Sequence, residues 1–273
     1  MSLTRKQMLD EMGLTPQWVL RDEPSVARRE KIPAGKAAAS AVLASPPPTA
    51  EVAAQGASVP AKQPAFEQIP LMDWEPLLEC ISDCRACGLG SGRKQAVPGV
   101  GDRNADWMFI GEGPGAEEDA RGEPFVGQAG QLLDAMLAAI DLKRGEDVYI
   151  ANAVKCRPPG NRTPEAGEMK TCFGFLKRQI ELIQPKLIVL LGKAAVHAVL
   201  GEEGSLASLR GKSLTYRLGE REIPVVVTYH PAYLLRTLPD KAKAWEDLCR
   251  ARALMREVKA AEDTPEARNL PLL

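Results

Sequence analysis

The sequence predicts a three-layer α/β domain with a mainly parallel sheet, and three observations predict it. Short apolar runs at 107–110, 148–151, 186–191 and 223–228 have the length and continuity of strands buried on both faces. Helical patterns lie between them, such as the stripe of Leu132, Leu133, Met136, Leu137 and Ile140, and strand–helix alternation favours parallel pairing with helices on either side. Two polar loops, GEGPG at 111–115 and HPAYLLR at 230–236, each follow one of the runs. The carboxyl ends of parallel strands are where such a sheet builds a ligand crevice.

In chain order, residues 1–22 read as a short amphipathic helix: Met8, Leu9 and Met12 share a face, Gly13 can end it, and Leu14, Trp18 and Leu20 follow. Residues 23–70 read as a linker. Its stretch 33–64 holds 11 Ala and 6 Pro, too little large apolar side chain to offset the entropy of ordering, so disorder is expected. The globular domain spans 71–260, and 261–273 form a flexible tail. Within the domain, a strand at 106–110 leads to the helical stripe and a second strand at 148–151. Thr163-Pro164 fits an N-cap with proline at the first helical position, starting a helix to about residue 183. A third strand at 186–191 precedes a short helix at 193–200. Segments 214–218 and 223–228 flank Gly219-Glu-Arg221 as a hairpin, and a helix at 241–259 closes the domain.

Composition argues against several classes. A non-specific nucleic-acid coat would be basic, whereas the net charge here is −1, so any contact with a polyanion must be local. No apolar run approaches the roughly 18 residues of a membrane span, and the N-terminus lacks a secretory h-region, so a cytoplasmic location is expected. Six cysteines in such a chain point to metal ligands or inert thiols rather than disulfides. Cys84 and Cys87 form a C-x2-C pair; Cys156 follows in a strand-end loop and Cys172 in the next helix. Four soft thiolates from two segments suit tetrahedral zinc or an iron–sulfur cluster, and spacing does not choose between them. Cys80 and Cys249 lie off that spacing and are expected in the core.

The two loops suggest the ligand. GEGPG is followed by Glu117, Glu118, Asp119 and a second Gly-rich run, 122–130. Its glycines let backbone N–H groups approach a ligand, but the run is not G-x-G-x-x-G, and no G-K-[ST] follows. The acidic residues would repel phosphate, so a neutral ring or a developing cation fits better, and a nucleotide-dependent redox protein fits poorly. Asn152 offers a donor and an acceptor side by side, suited to the polar edge of a pyrimidine or to capping a turn. Phe125 offers a face for stacking or for the core. Asn161, in KCRPPGNR at 155–162, orients a water or stabilises its loop. His230 stands between a buried strand and a proline, whereas His197 sits in an apolar helix pattern and reads as packed or surface. Leu234 and Leu235 are expected to be exposed beside Arg236, an apolar wedge with a cation able to enter a base stack and hold phosphate.

Together, GEGPG with Glu117-Glu-Asp119, Gly122-x-Pro-Phe-Val-Gly127, Asn152, KCRPPGNR, the four cysteines and HPAYLLR closely resemble the family 4 uracil-DNA glycosylases, the iron–sulfur group, over about residues 77–258. The resemblance implies a four-stranded parallel sheet and a structural [4Fe-4S] cluster on Cys84, Cys87, Cys156 and Cys172. It also implies hydrolysis of the N-glycosidic bond of uracil in single- or double-stranded DNA. On that reading the base is extruded, Leu234 fills the gap, Arg236 holds the backbone, Phe125 stacks on the base and Asn152 reads its edge. His230 stabilises charge on the departing uracil, and a carboxylate supports the oxocarbenium-like sugar and the water. Family 1 carries aspartate at the third position of GQDPYH, where this chain has Gly113 in the substrate loop. The work therefore falls to Glu118, Glu112 or Asn161, with Glu118 and Asn161 assigned to the water and Glu112 to pocket shape. A related class that traps DNA covalently uses a histidine in an inserted Arg-rich loop; residues 118–125 hold neither insert nor histidine, so turnover is expected. The rival reading is a non-catalytic iron–sulfur module that binds DNA or a polymerase. Finally, Arg5-x3-Leu9-x2-Met12-Gly13-Leu14-x3-Trp18-x2-Arg21 is similar to the short partner-binding peptide of the psi subunit of bacterial DNA polymerase III. That likeness implies a replication or repair protein as partner, raised in effective concentration by the linker.

Overall fold

The architecture was obtained as a computed structural model that describes residues 66–262. The helix expected at 1–22, the linker up to residue 65 and the tail from residue 263 lie outside the described residues. Six strands form one sheet: β1 (Val100–Gly101), β2 (Trp107–Gly111), β3 (Val148–Asn152), β4 (Leu187–Leu191), β5 (Leu214–Leu218) and β6 (Arg221–Thr228), in the order β1-β3-β2-β4-β6-β5. The inner four are mutually parallel, as expected, and β1 and β5 add antiparallel edges. Every residue of β2, β3 and β4 is buried, the burial that continuous apolar runs impose on strands covered from both sides.

Side-chain alternation along the strands assigns the layers. Trp107 and Phe109 face α4 (Gln128–Ala138) and α9 (Lys241–Glu262), which contribute Leu132, Leu133, Met136, Trp245 and Leu248. Met108 and Ile110 face α5 (Ala166–Ile183) and α6 (Lys193–Leu200), with Leu176, Ile180, Ala195 and Val196. The result is the predicted helix–sheet–helix sandwich. A third, smaller core gathers α1 (Trp74–Asp83), α2 (Leu89–Gly92) and the start of α5 around Leu77, Ile81, Leu89 and Phe175.

Register then places the loops. Gly111 pairs with Asn152, and Leu191 with Thr228, so β2, β3, β4 and β6 end at one edge of the sheet. The pairing continues past the strands: Ala153 N–H donates to the Gly111 carbonyl at 2.9 Å and Val154 N–H to that of Glu112 at 3.2 Å.

Two boundaries and one burial differ from expectation. The domain begins before residue 71: Phe66–Leu71 form a 3-10 helix because Ile69, 1% exposed, is an apolar anchor in the third core. Helix α5 starts at Ala166 rather than at Thr163-Pro164, since Glu165 is its N-cap residue and Glu168 takes the Glu165 N–H at 2.8 Å. Cys249 is exposed on α9 rather than packed in the core, while Cys80 is half-buried.

Candidate active site

At the carboxyl edge of the parallel strands lies a cavity of about 630 Å³, lined by the loops after β2, β3, β4 and β6. It brings together Glu112, Gly113, Glu118, Phe125, Asn152, Asn161, His230 and Arg236, residues spread over more than a hundred positions of sequence.

The inner wall is Asn152, Phe125 and Gly111. Asn152 closes β3 and is 2% exposed, and its Oδ1 has no hydrogen-bond partner. A Cβ on Gly111 would fall 2.5 Å from Asn152 Oδ1 and 2.5 Å from Phe125 Cζ. Glycine is therefore required there for the amide and the ring to meet. The Asn152 carbonyl accepts from Lys155 Nζ at 2.9 Å, a buried ammonium that also donates to Gln179 Oε1 at 2.7 Å.

His230 faces the same wall, its ring centroid 5.4 Å from that of Phe125. Its Nδ1 accepts the Ala232 N–H at 3.2 Å as N-cap of the short helix α8 (Pro231–Leu234). Burial, with the Arg236 charge nearby, brings the imidazole down to about 4, while Glu118 acts in the opposite direction. The ring is thus neutral at pH 7, and because Nδ1 is an acceptor its proton sits on Nε2.

The carboxylates separate in a way the sequence did not reveal. Both Glu118 oxygens are on backbone amides: Oε2 accepts from Gly115 at 3.0 Å, and Oε1 from Val126 at 2.9 Å and Gly127 at 3.1 Å. Glu118 sits on α3 (Ala116–Arg121) and ties the two Gly-rich runs together while still lining the cavity. Asn161 is exposed at the rim with its Oδ1 taken by Arg157 Nε at 2.7 Å. Glu112 is half-buried in the same cavity; burial raises its carboxyl above the usual range, and the neighbouring Thr163 side chain acts the other way.

The wedge also needs correction. Leu234 is wholly buried in the core with Trp245 and Leu248, not exposed. One residue on, Leu235 is 39% exposed and Leu238 60%, next to exposed Arg236. The single turn of α8 turns Leu234 inward and presents its neighbour to solvent. Exposed Arg162 and Lys193 also line the cavity, cations that sequence reasoning passed over because neither belongs to a loop singled out for its charge.

The four candidate ligands, Cys84, Cys87, Cys156 and Cys172, lie together in the third core. Arg93 Nη1 donates to Cys156 Sγ at 2.8 Å, and the Lys155 N–H to Cys172 Sγ at 3.3 Å. Arg93 also reaches the carbonyls of Ile81, Ser82 and Cys84, closing the end of α1. Burial pushes the Cys156 thiol up and the Cys172 thiol up to about 12, while Arg93 and Lys155 respectively act the other way; soft sulfur donors gathered in this way suit a thiophilic metal.

Residues 98–249 match the model of the Uracil DNA glycosylase superfamily. The type-4 uracil-DNA glycosylase of Thermotoga maritima is 42% identical over 190 residues, covering 67% of this chain and 97% of the relative. That of Pyrobaculum aerophilum is 41% identical over 181 residues, covering 65% and 92%. That of Sulfurisphaera tokodaii is 44% identical over 165 residues, covering 59% and 75%. The chain therefore belongs to the uracil DNA glycosylase superfamily and, within it, to the type-4 uracil-DNA glycosylases.

Proposed function

We propose that the chain is a monofunctional uracil-DNA glycosylase of base excision repair, hydrolysing the N-glycosidic bond of uracil turned out of DNA and leaving an abasic site. The observation that carries this reading is the buried, unpartnered Oδ1 of Asn152 beside the Phe125 ring. Uracil presents an N–H donor at N3 beside an acceptor at O4, the complement of a side-chain amide. Cytosine presents an acceptor at N3, which would meet Oδ1 acceptor to acceptor. Leaving a buried polar atom unpaired costs roughly 1–3 kcal/mol, so the site selects by what it fails to satisfy.

Cleavage develops negative charge on the base and oxocarbenium character on the sugar. Neutral His230, holding its proton on Nε2, donates a hydrogen bond toward the base oxygen as negative charge develops there. Glu112 supplies the carboxylate for the sugar and the water, while Glu118 holds the loop that presents Phe125. Leu235 replaces the extruded base, and Arg236, Lys193 and Arg162 hold flanking phosphates.

Cys84, Cys87, Cys156 and Cys172 are the residues we assign to a [4Fe-4S] cluster. Such a cluster would take one thiolate from each of the four cysteines. When bound, the group ties the segment after α1 to the loop after β3 and to α5. Residues 1–22 are read as a peptide for a replication or repair partner on their pattern alone.

The test is release of free uracil from matched oligonucleotides carrying uracil or thymine at one position. Alkali-labile cleavage confined to the uracil strand supports the reading. DNA binding with no uracil released by metal-replete protein would replace it with the non-catalytic module.

A further inference from the structure

We infer that Arg144 is a positioning residue for excision, holding Phe125 in the pose that receives the base. This rests on the function proposed above, in which Phe125 is the stacking face. Phe125 has φ +55°, a left-handed backbone that is an outlier for a bulky aromatic residue and persists only where the surroundings over-determine it.

Those surroundings converge from three sides. Arg144, in the loop between α4 and β3, donates through Nη1 to the Pro124 carbonyl and through Nη2 to the Phe125 carbonyl, each at 2.8 Å. Asp134 on α4 fixes the guanidinium by accepting from Nε at 2.9 Å. The next two amides, Val126 and Gly127, are held by Glu118. From the third side α4 presses in at Gly130, where a Cβ would fall 1.8 Å from the Phe125 oxygen. The carbonyls before the bend and the amides after it are therefore pinned by two opposite charges, and the ring is delivered to Gly111 and His230.

Arg144 does not line the cavity, and its side chain is 23% exposed, so it reaches the base only through Phe125. Its planar fork supplies two parallel donors, which an ammonium cannot reproduce. Sequence reading passed over it because it is one arginine in a polar connecting loop.

The experiment compares wild type with Arg144→Lys and Arg144→Gln, measuring steady-state uracil release from a single-stranded oligonucleotide, thermal unfolding, and amide hydrogen exchange along the chain. We expect kcat to fall about ten- to a hundredfold, the scale of a small misplacement of a positioned group. KM should hold, because phosphate contacts dominate DNA affinity. Exchange should rise at Val126 and Gly127 and stay at wild-type levels in the sheet. Wild-type kcat in both variants overturns the assignment, and so does a loss matched by faster exchange everywhere and early unfolding, which marks a merely structural arginine. If the wild type releases no uracil, the functional reading fails by itself. The exchange at 126–127 then still decides whether Arg144 clamps the Phe125 bend.

Discussion

Two carboxylates at this site differ in what their oxygens already hold. Glu118 is committed to three backbone amides, whereas Glu112 is half-buried with a raised carboxyl. Glu112→Gln should therefore slow single-turnover uracil release about 10²- to 10⁴-fold with little change in DNA binding. Glu118→Gln should act first on the fold, lowering unfolding stability by about 1–3 kcal/mol and slowing release less than Glu112→Gln does. A reversed ranking would return the water to Glu118. His230 adds a pH dependence of defined sign. Its folded value of about 4 lies below the ordinary 6.5, so the unfolded chain binds the proton more readily. Stability is held above 6.5 and lost as pH falls from there toward 4. Thermal unfolding of His230→Asn should decline less than wild type across that window. The identities of these residues were legible from GEGPG with the acidic run that follows it and from HPAYLLR; their division of labour was not, because it depends on which amides lie within reach after the Gly-rich runs fold back.

At the scale of elements, α8 makes the same point with two identical side chains. Leu234 and Leu235 are indistinguishable by type, and a loop reading exposes both; one helical turn buries the first and exposes the second. Leu234→Ala should cost about 2–5 kcal/mol of stability as a core truncation, measured by denaturant unfolding. Leu235→Ala should leave stability nearly unchanged and slow excision from duplex more than from single-stranded DNA, since only the duplex has a stack to fill. Equal loss on both substrates would remove Leu235 from that role. Helix α5 is similar: Thr163-Pro164 is a fair start signal, but Glu168 reaches back to the Glu165 N–H and is also gripped by Arg162 at 2.7 Å, so the helix begins later.

For the whole molecule, the third core joins the cysteines to the sheet. Lys155 stands between them, its backbone on Cys172 and its ammonium on the Asn152 carbonyl. On the proposed cluster assignment, purified wild type should carry iron, and Cys156→Ser should lower both iron content and the unfolding temperature; wild type purified without iron would remove the assignment. Deleting residues 1–65 should leave uracil release intact, because every described residue that lines the cavity lies at position 112 or beyond.

By itself the sequence determined the helix–sheet–helix architecture and the strands that carry the chemistry. It also determined most residues of the cavity, through apolar runs and two loops whose composition is unusual enough to name a family. Only the tertiary structure decided the antiparallel edges, the inward leucine, the committed and uncommitted carboxylates and the Arg144 clamp. The reason is physical. Burial periodicity is written locally along a chain, whereas hydrogen-bond partners and the phase of a single turn are settled only when distant segments come within about 3 Å of one another.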